Sequence, residues 1–185
     1  DPTGLTLDGA DGGSIEIQWA HGGDLSINKP LSTNGGNNAG GSGGNGGEIY
    51  VRSTNATSDP DVYINGIAAS TNSSNTLSAV GGNSTYAAGL GGRGGIIAFS
   101  DNGLGVVGGN IEGEIFFRGG TLTVAGGNGT STGGDAGGMI FDNENGDIDF
   151  DTAGANDVTL DLTPGSGAVD GDFGAVSFDA GNGNY

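Results

Sequence analysis

The side chains able to do chemistry in this chain are almost all carboxylates. Of 185 residues, 22 are Asp or Glu, one is His (His21) and none is Cys. One His and no thiol leave His-dependent triads and His–Cys metal clusters without a second member, and Ala20-His21-Gly22-Gly23 reads as a turn. Paired acids remain. Asp149 with Asp151, or Asp170 with Asp172, could be posed as the two carboxylates of a glycoside hydrolase. Acids two apart on a strand share one face, and a solvated acidic face is their ordinary outcome, so the chain is expected not to be an enzyme.

Calcium suits these acids better. Eleven of the 22 follow residue 134, and no Lys or Arg follows Arg118. The run Asp142-Asn-Glu-Asn-Gly-Asp-Ile-Asp-Phe-Asp151 concentrates hard oxygen ligands. Asp142, Glu144, Asp147, Asp149 and Asp151 are therefore the candidate calcium ligands. The run is no EF-hand, because Gly146 stands at the fifth place and no Glu at the twelfth. Gly133-Gly-Asp-Ala-Gly-Gly138 likewise lacks the Asp of the calcium-binding nonapeptide. Trp19, Tyr50, Tyr63 and Tyr86 could stack on a sugar, although aromatic residues on strands usually pack against neighbours. Sequons at Asn55, Asn72, Asn83 and Asn128 are no more than the composition predicts.

A net charge of −18, with only Lys29, Arg52, Arg93 and Arg118 to oppose it, speaks against nucleic acid and anionic membranes as partners. No apolar run approaches the roughly 20 residues of a membrane helix. A first residue of Asp rather than Met fits a processed product, and the lack of Cys fits export.

The elements that must position these groups are short strands. With 44 Gly a helical bundle is excluded, and without a G-X-Y period so is collagen. Strand-like segments follow Gly signals at Ser14-Ile-Glu-Ile17, Glu48-Ile-Tyr-Val51, Ile96-Ile-Ala-Phe99, Met139-Ile-Phe141 and Ala175-Val-Ser-Phe178. Glycine pairs at 12, 46, 94 and 137, with Phe173 aligned to them, divide one domain over 1–185 into irregular repeats of about 12–45, 46–93, 94–136, 137–172 and 173–185. Further β segments lie at 24–27, 61–64, 113–117 and 147–151. Another element reads Leu31-Ser-Thr-Asn-Gly-Gly-Asn37, Leu77-Ser-Ala-Val-Gly-Gly-Asn83 and Leu122-Thr-Val-Ala-Gly-Gly-Asn128, with a decayed copy at Leu160-Asp-Leu-Thr-Pro-Gly-Ser166. Asn-Gly at Asn34, Asn45, Asn65, Asn102, Asn128, Asn145 and Asn182 predicts turns of positive φ.

Three strands and one glycine-rich excursion per period predict an all-β fold, a parallel β-helix, with an antiparallel sandwich as second choice. In the excursions glycine recurs near every third residue, as in polyglycine II, and successive excursions are expected to pack side by side.

From 12 to 178, the Gly-Gly-x-Ile-x-Phe anchors and Gly-Gly-Asn segments resemble the glycine-rich β-strand repeats of bacterial surface proteins, among them autotransporter passengers and filamentous-haemagglutinin-like adhesins. That resemblance implies an extracellular scaffold, adhesion or assembly, and carries no catalytic residue across to this chain. No capping helix is legible at either end; Thr3-Gly-Leu-Thr-Leu-Asp8 reads as a strand. The expectation is a secreted, self-assembling subunit whose copies stack head to tail into a filament. The alternative is an adhesin segment that binds glycans or a host surface.

Overall fold

The computed structural model describes residues 7–19, 23–53, 61–64, 76–99, 113–143, 146–150 and 157–179. His21, the sequons at Asn55 and Asn72, the Asn-Gly pairs at Asn65, Asn102, Asn145 and Asn182, and residues 3–6 lie outside them.

β1 (Ser14–Trp19), β2 (Leu25–Ile27) and β3 (Leu31–Ser32) make the first coil. β4 (Glu48–Ser53), β5 (Val62–Ile64) and β6 (Thr76–Ser78) make the second. β7 (Ile96–Phe99), β8 (Ile115–Phe117) and β9 (Gly120–Thr123) make the third. β10 (Gly138–Asp142), β11 (Ile148–Phe150) and β12 (Val158–Asp161) make the fourth, and β13 (Ala175–Asp179) begins a fifth. Each strand pairs in parallel with its counterpart one coil away. The result is three sheets, β1-β4-β7-β10-β13, β2-β5-β8-β11 and β3-β6-β9-β12. The fold is the expected parallel β-helix.

Alternation along each strand sends one set of side chains inward, and the register stacks like on like. In the first sheet one inner column is Ile15, Ile49, Ile97, Met139 and Val176, and the other is Ile17, Val51, Phe99, Phe141 and Phe178. In the second sheet Ile27, Ile64, Phe117 and Phe150 stand in line. Phe99, Phe141 and Phe178 stack at centroid distances of 5.8 and 5.0 Å, and Phe117 meets Phe99 and Phe141 edge-on. One flaw interrupts the third sheet's inner column of Thr33, Ala79, Val124 and Leu162: the buried Thr33 hydroxyl has no hydrogen-bond partner.

The glycine-rich excursions leave the third sheet as an outgoing arm and re-enter the first as a return arm. The arms of all coils interleave in one slab. Its centre is a line of backbone hydrogen bonds: Gly36 N–H to Ala10 O, Gly44 to Gly36, Gly82 to Gly44, Gly92 to Gly82, Gly127 to Gly92, Gly134 to Gly127, Gly165 to Gly134 and Gly171 to Gly165. Each lies between 2.7 and 3.0 Å. Glycine is needed here for close approach, because a Cβ on Gly92 or Gly127 would overlap the backbone carbonyl of a neighbouring arm. This is the expected side-by-side packing of polyglycine-II-like arms.

Several finer expectations are corrected. Asn34, Asn45 and Asn128 mark no turns; among the described glycines only Gly119 and Gly120 have positive φ, and neither follows one of these Asn. Those Asn lie in extended arms, where each side-chain oxygen accepts a backbone N–H from the following coil: Val80 on Asn34, Arg93 on Asn45 and Ser166 on Asn128. Asn37 and Asn83 in the Gly-Gly-Asn segments do the same for Asn83 and Asn128. The Leu160–Ser166 copy has not decayed. Leu160 pairs with Leu122, and Gly165 takes its place in the glycine line. Pro164 fits where Gly126 stands because its φ suits an extended arm. The Gly126 N–H donates to Thr163 of the following coil, whereas no described coil follows Pro164. Met139, not Ile140, pairs with Ile97, so the Gly137-Gly138 pair stands one residue out of step with Gly94-Gly95. A slip to align those glycines would turn Met139 and Phe141 out of the core. Finally, Leu7 and Asp8 belong to a return arm rather than a strand, with the Gly9 N–H on Ser42 O.

Candidate functional site

Among the described residues no three His, Asp or Glu side chains gather where they could hold a metal ion. Asp142 closes β10 in register with Asp179. Asp147 stands in the turn before β11, where its carbonyl accepts the Ile115 N–H at 2.9 Å. Asp149 points outward from β11, 3.6 Å from Arg118. Glu144 and Asp151 lie outside the described residues. Asn143, inside the same acidic run, is fully buried. Its amide donates to Gly113 O at 2.8 Å and its oxygen accepts the Gly146 N–H, so it holds the turn and ties it to the coil below.

Asp24, Asp61, Glu114 and Asp147 form one column at the entry to the second sheet, each directly before a paired residue. The Asp24 carboxylate accepts the Asp61 N–H, and the Asp61 carboxylate accepts the Glu114 N–H. Desolvation first, then the charges of Asp61, Asp147 and Asp149, raise the Glu114 pKa above 4.5 against the pull of Arg118. A carboxyl that binds its proton more tightly when folded gives stability that is complete below its unfolded pKa and lost as pH rises through its folded pKa. Glu114→Gln is therefore expected to melt slightly higher than the parent at pH 7, with the gap closing as pH falls through the window just above 4.5. The effect is small because solvent screens this exposed side chain. Melting curves from pH 4 to 7 test it; a gap that widens on acidification would be the wrong sign.

On the outer face of the second sheet Ser26, Tyr63, Phe116 and Asp149 stand in register. Tyr63 and Phe116 stack at 4.9 Å, and the Arg118 guanidinium covers Phe116 at 4.6 Å. The Tyr63 hydroxyl donates to Asp61 at 3.0 Å. Phe116 and Arg118 were legible as outward positions beside the inward Ile115 and Phe117, but their partner Asp149 is 31 residues from Arg118 in sequence. Of the other candidate aromatic residues, Tyr50 is buried and Tyr86 is exposed; the Trp19 side chain lies outside the described set.

The return arms make a second surface. With three residues per turn, every third side chain faces out. One row is Asp8, Ser42, Leu90, Thr132 and Val169, and the next is Asp11, Asn45, Arg93, Asp135 and Asp172. The rows follow from hydrogen bonds between successive coils. Between Leu90 and Thr132 on one side and Arg93 and Asp135 on the other lies a groove of about 200 Å³, floored by Gly91, Gly133 and Gly134. Arg93 Nε lies 3.2 Å from Asp135.

The last feature is the β13 edge. In the column Ile49, Ile97, Met139 and Val176, the first three are at most 1% exposed and Val176 is 36% exposed. Phe173, just before β13, is 79% exposed. No described strand covers the far side of β13.

No family model matches the chain, and no curated protein or solved structure is significantly similar to it.

Proposed function

We propose that this chain is a structural β-solenoid subunit of an extracellular assembly, of the kind its glycine-rich repeats resemble, and that its copies stack coil on coil. The observation that supports the reading is the rise in exposure along the Ile49–Val176 column, which leaves β13 an apolar strand edge uncovered by any other described residue. Such edges pair with further strands unless they are blunted. Head-to-tail contacts between copies are heterologous and therefore propagate. A net charge of −18 opposes sideways clumping while leaving end contacts open.

Electron microscopy across a concentration series, with calcium and with a chelator, tests this. Regular filaments are expected, and Val176→Asp is expected to abolish them while the coils below keep their fold. Loss on chelation would put a divalent ion in the contact. Monomers under every condition would overturn the reading. The groove beside Arg93 favours a second reading, an adhesin segment that binds surface glycans.

A further inference from the structure

We propose that the groove between Leu90 and Arg93 is a binding site for one neutral sugar ring of a surface glycan. The inference rests on the adhesin reading and is independent of whether copies stack. Its size comes first. About 200 Å³ is below the roughly 300–1,000 Å³ of drug-sized sites and leaves room for a single ring. The walls stand three residues apart on extended arms, about 9 Å at 3.1 Å per residue. The floor is set by the fold. Gly91, Gly133 and Gly134 cannot carry a Cβ, because each would strike a neighbouring backbone carbonyl, so the bottom of the groove stays flat peptide.

The polar wall is the Arg93–Asp135 pair. Asp135 holds Nε of Arg93 and also accepts the Asp172 N–H at 3.0 Å, which fixes the carboxylate from behind. The two terminal guanidinium nitrogens make no hydrogen bond to any other described residue. A planar donor fork beside a carboxylate acceptor matches adjacent hydroxyls, one pair accepting from Arg93 and the next donating to Asp135. The opposite wall brings Leu90, 48% exposed, against the C–H face of a ring, with the Thr132 hydroxyl beside it.

Charge selects the class of ligand. An anionic sugar meets the field of a −18 chain, and a cation meets Arg93 itself. A neutral polyol meets neither obstacle.

The test uses the full chain, labelled with ¹⁵N and titrated with methyl β-glucoside, methyl β-galactoside or methyl α-mannoside, with galacturonate as the acidic probe. At least one neutral hexoside is expected to shift the amides of Gly91, Arg93, Gly133 and Gly134 with weak, saturable affinity, and galacturonate to bind less well. Arg93→Ala and Leu90→Ala are each expected to weaken binding about tenfold or more, as the loss of a charged hydrogen bond or of ring contact would. Leu90 is exposed, so its variant keeps the experiment decisive if Arg93→Ala fails to fold. Shifts that survive both variants, or a preference for galacturonate, overturn the proposal. Shifts confined to the Tyr63–Phe116 face overturn it while leaving the adhesin reading intact. No shift with any hexoside overturns both.

Discussion

Gly137→Ala is expected to cost more than about 3 kcal/mol of stability, whereas Gly138→Ala, one residue later, is expected to cost nothing or to stabilise by roughly 0.4–1 kcal/mol. At Gly137 an added Cβ would overlap the Gly95 carbonyl oxygen, with Gly94 close behind. All of these atoms are backbone, and Gly94 and Gly95 are themselves held by neighbouring coils, the Gly95 N–H donating to Ala79 O and the Gly94 N–H to Asp135 O. The clash cannot be relieved by turning a side chain. At Gly138 the nearest atom is 3.9 Å away and the backbone is not left-handed, so Ala fits and restricts only the unfolded chain. Urea midpoints of the two variants check the contrast. Equal midpoints would mean that the arms can spread, and that close approach is not what selects glycine.

Phe141→Ala should be the most damaging core truncation, about 3–5 kcal/mol by analogy with other buried Phe deletions. Phe141 is fully buried and touches aromatic rings on four sides: Phe99 and Phe178 by stacking, Phe117 and Phe150 edge-on. Losing it leaves those rings facing a cavity in the middle of the stack, and strands fixed by parallel pairing on both sides cannot collapse into it. Phe178→Ala, at a ring already 40% exposed, should cost distinctly less. Denaturation of both variants under the same conditions tests the ordering, and a reversed order would show that the stack does not depend on its centre.

Most of the architecture was legible because the strands alternate cleanly. Ile148 and Phe150 inward with Asp149 outward could be read directly, and so could the Leu31, Leu77 and Leu122 elements. The exact register was not. Glycine pairs were natural anchors for alignment, but pairing is decided by which side chains reach the core, and Met139 overruled Gly137-Gly138. Local turn chemistry also misled: Asn-Gly favours a turn when the chain is free to choose, yet at Asn34, Asn45 and Asn128 hydrogen bonds to the next coil hold the chain extended. The sites were least legible. Arg93 and Asp135 are 42 residues apart, and they meet only because two excursions of different length return to the same row. Within the acidic run from Asp142, no sequence signal marked Asn143 as the buried polar residue that closes a turn.

The row of Asp11, Asn45, Arg93, Asp135 and Asp172 bears on how such a molecule can change over generations. Along each arm the residues between the outward rows are held to small types by neighbouring backbone, while an outward side chain has room to vary and meets one main demand, an oxygen that accepts a backbone N–H of the next coil, as Asp11, Asn45 and Asp135 supply. Five places of nearly equivalent geometry already carry an acid, an amide and a guanidinium. Selection can therefore rewrite the face one side chain at a time, exchanging acid for amide where the bond to the next coil is kept and going further, as at Arg93, where neighbouring bonds hold the arm without it.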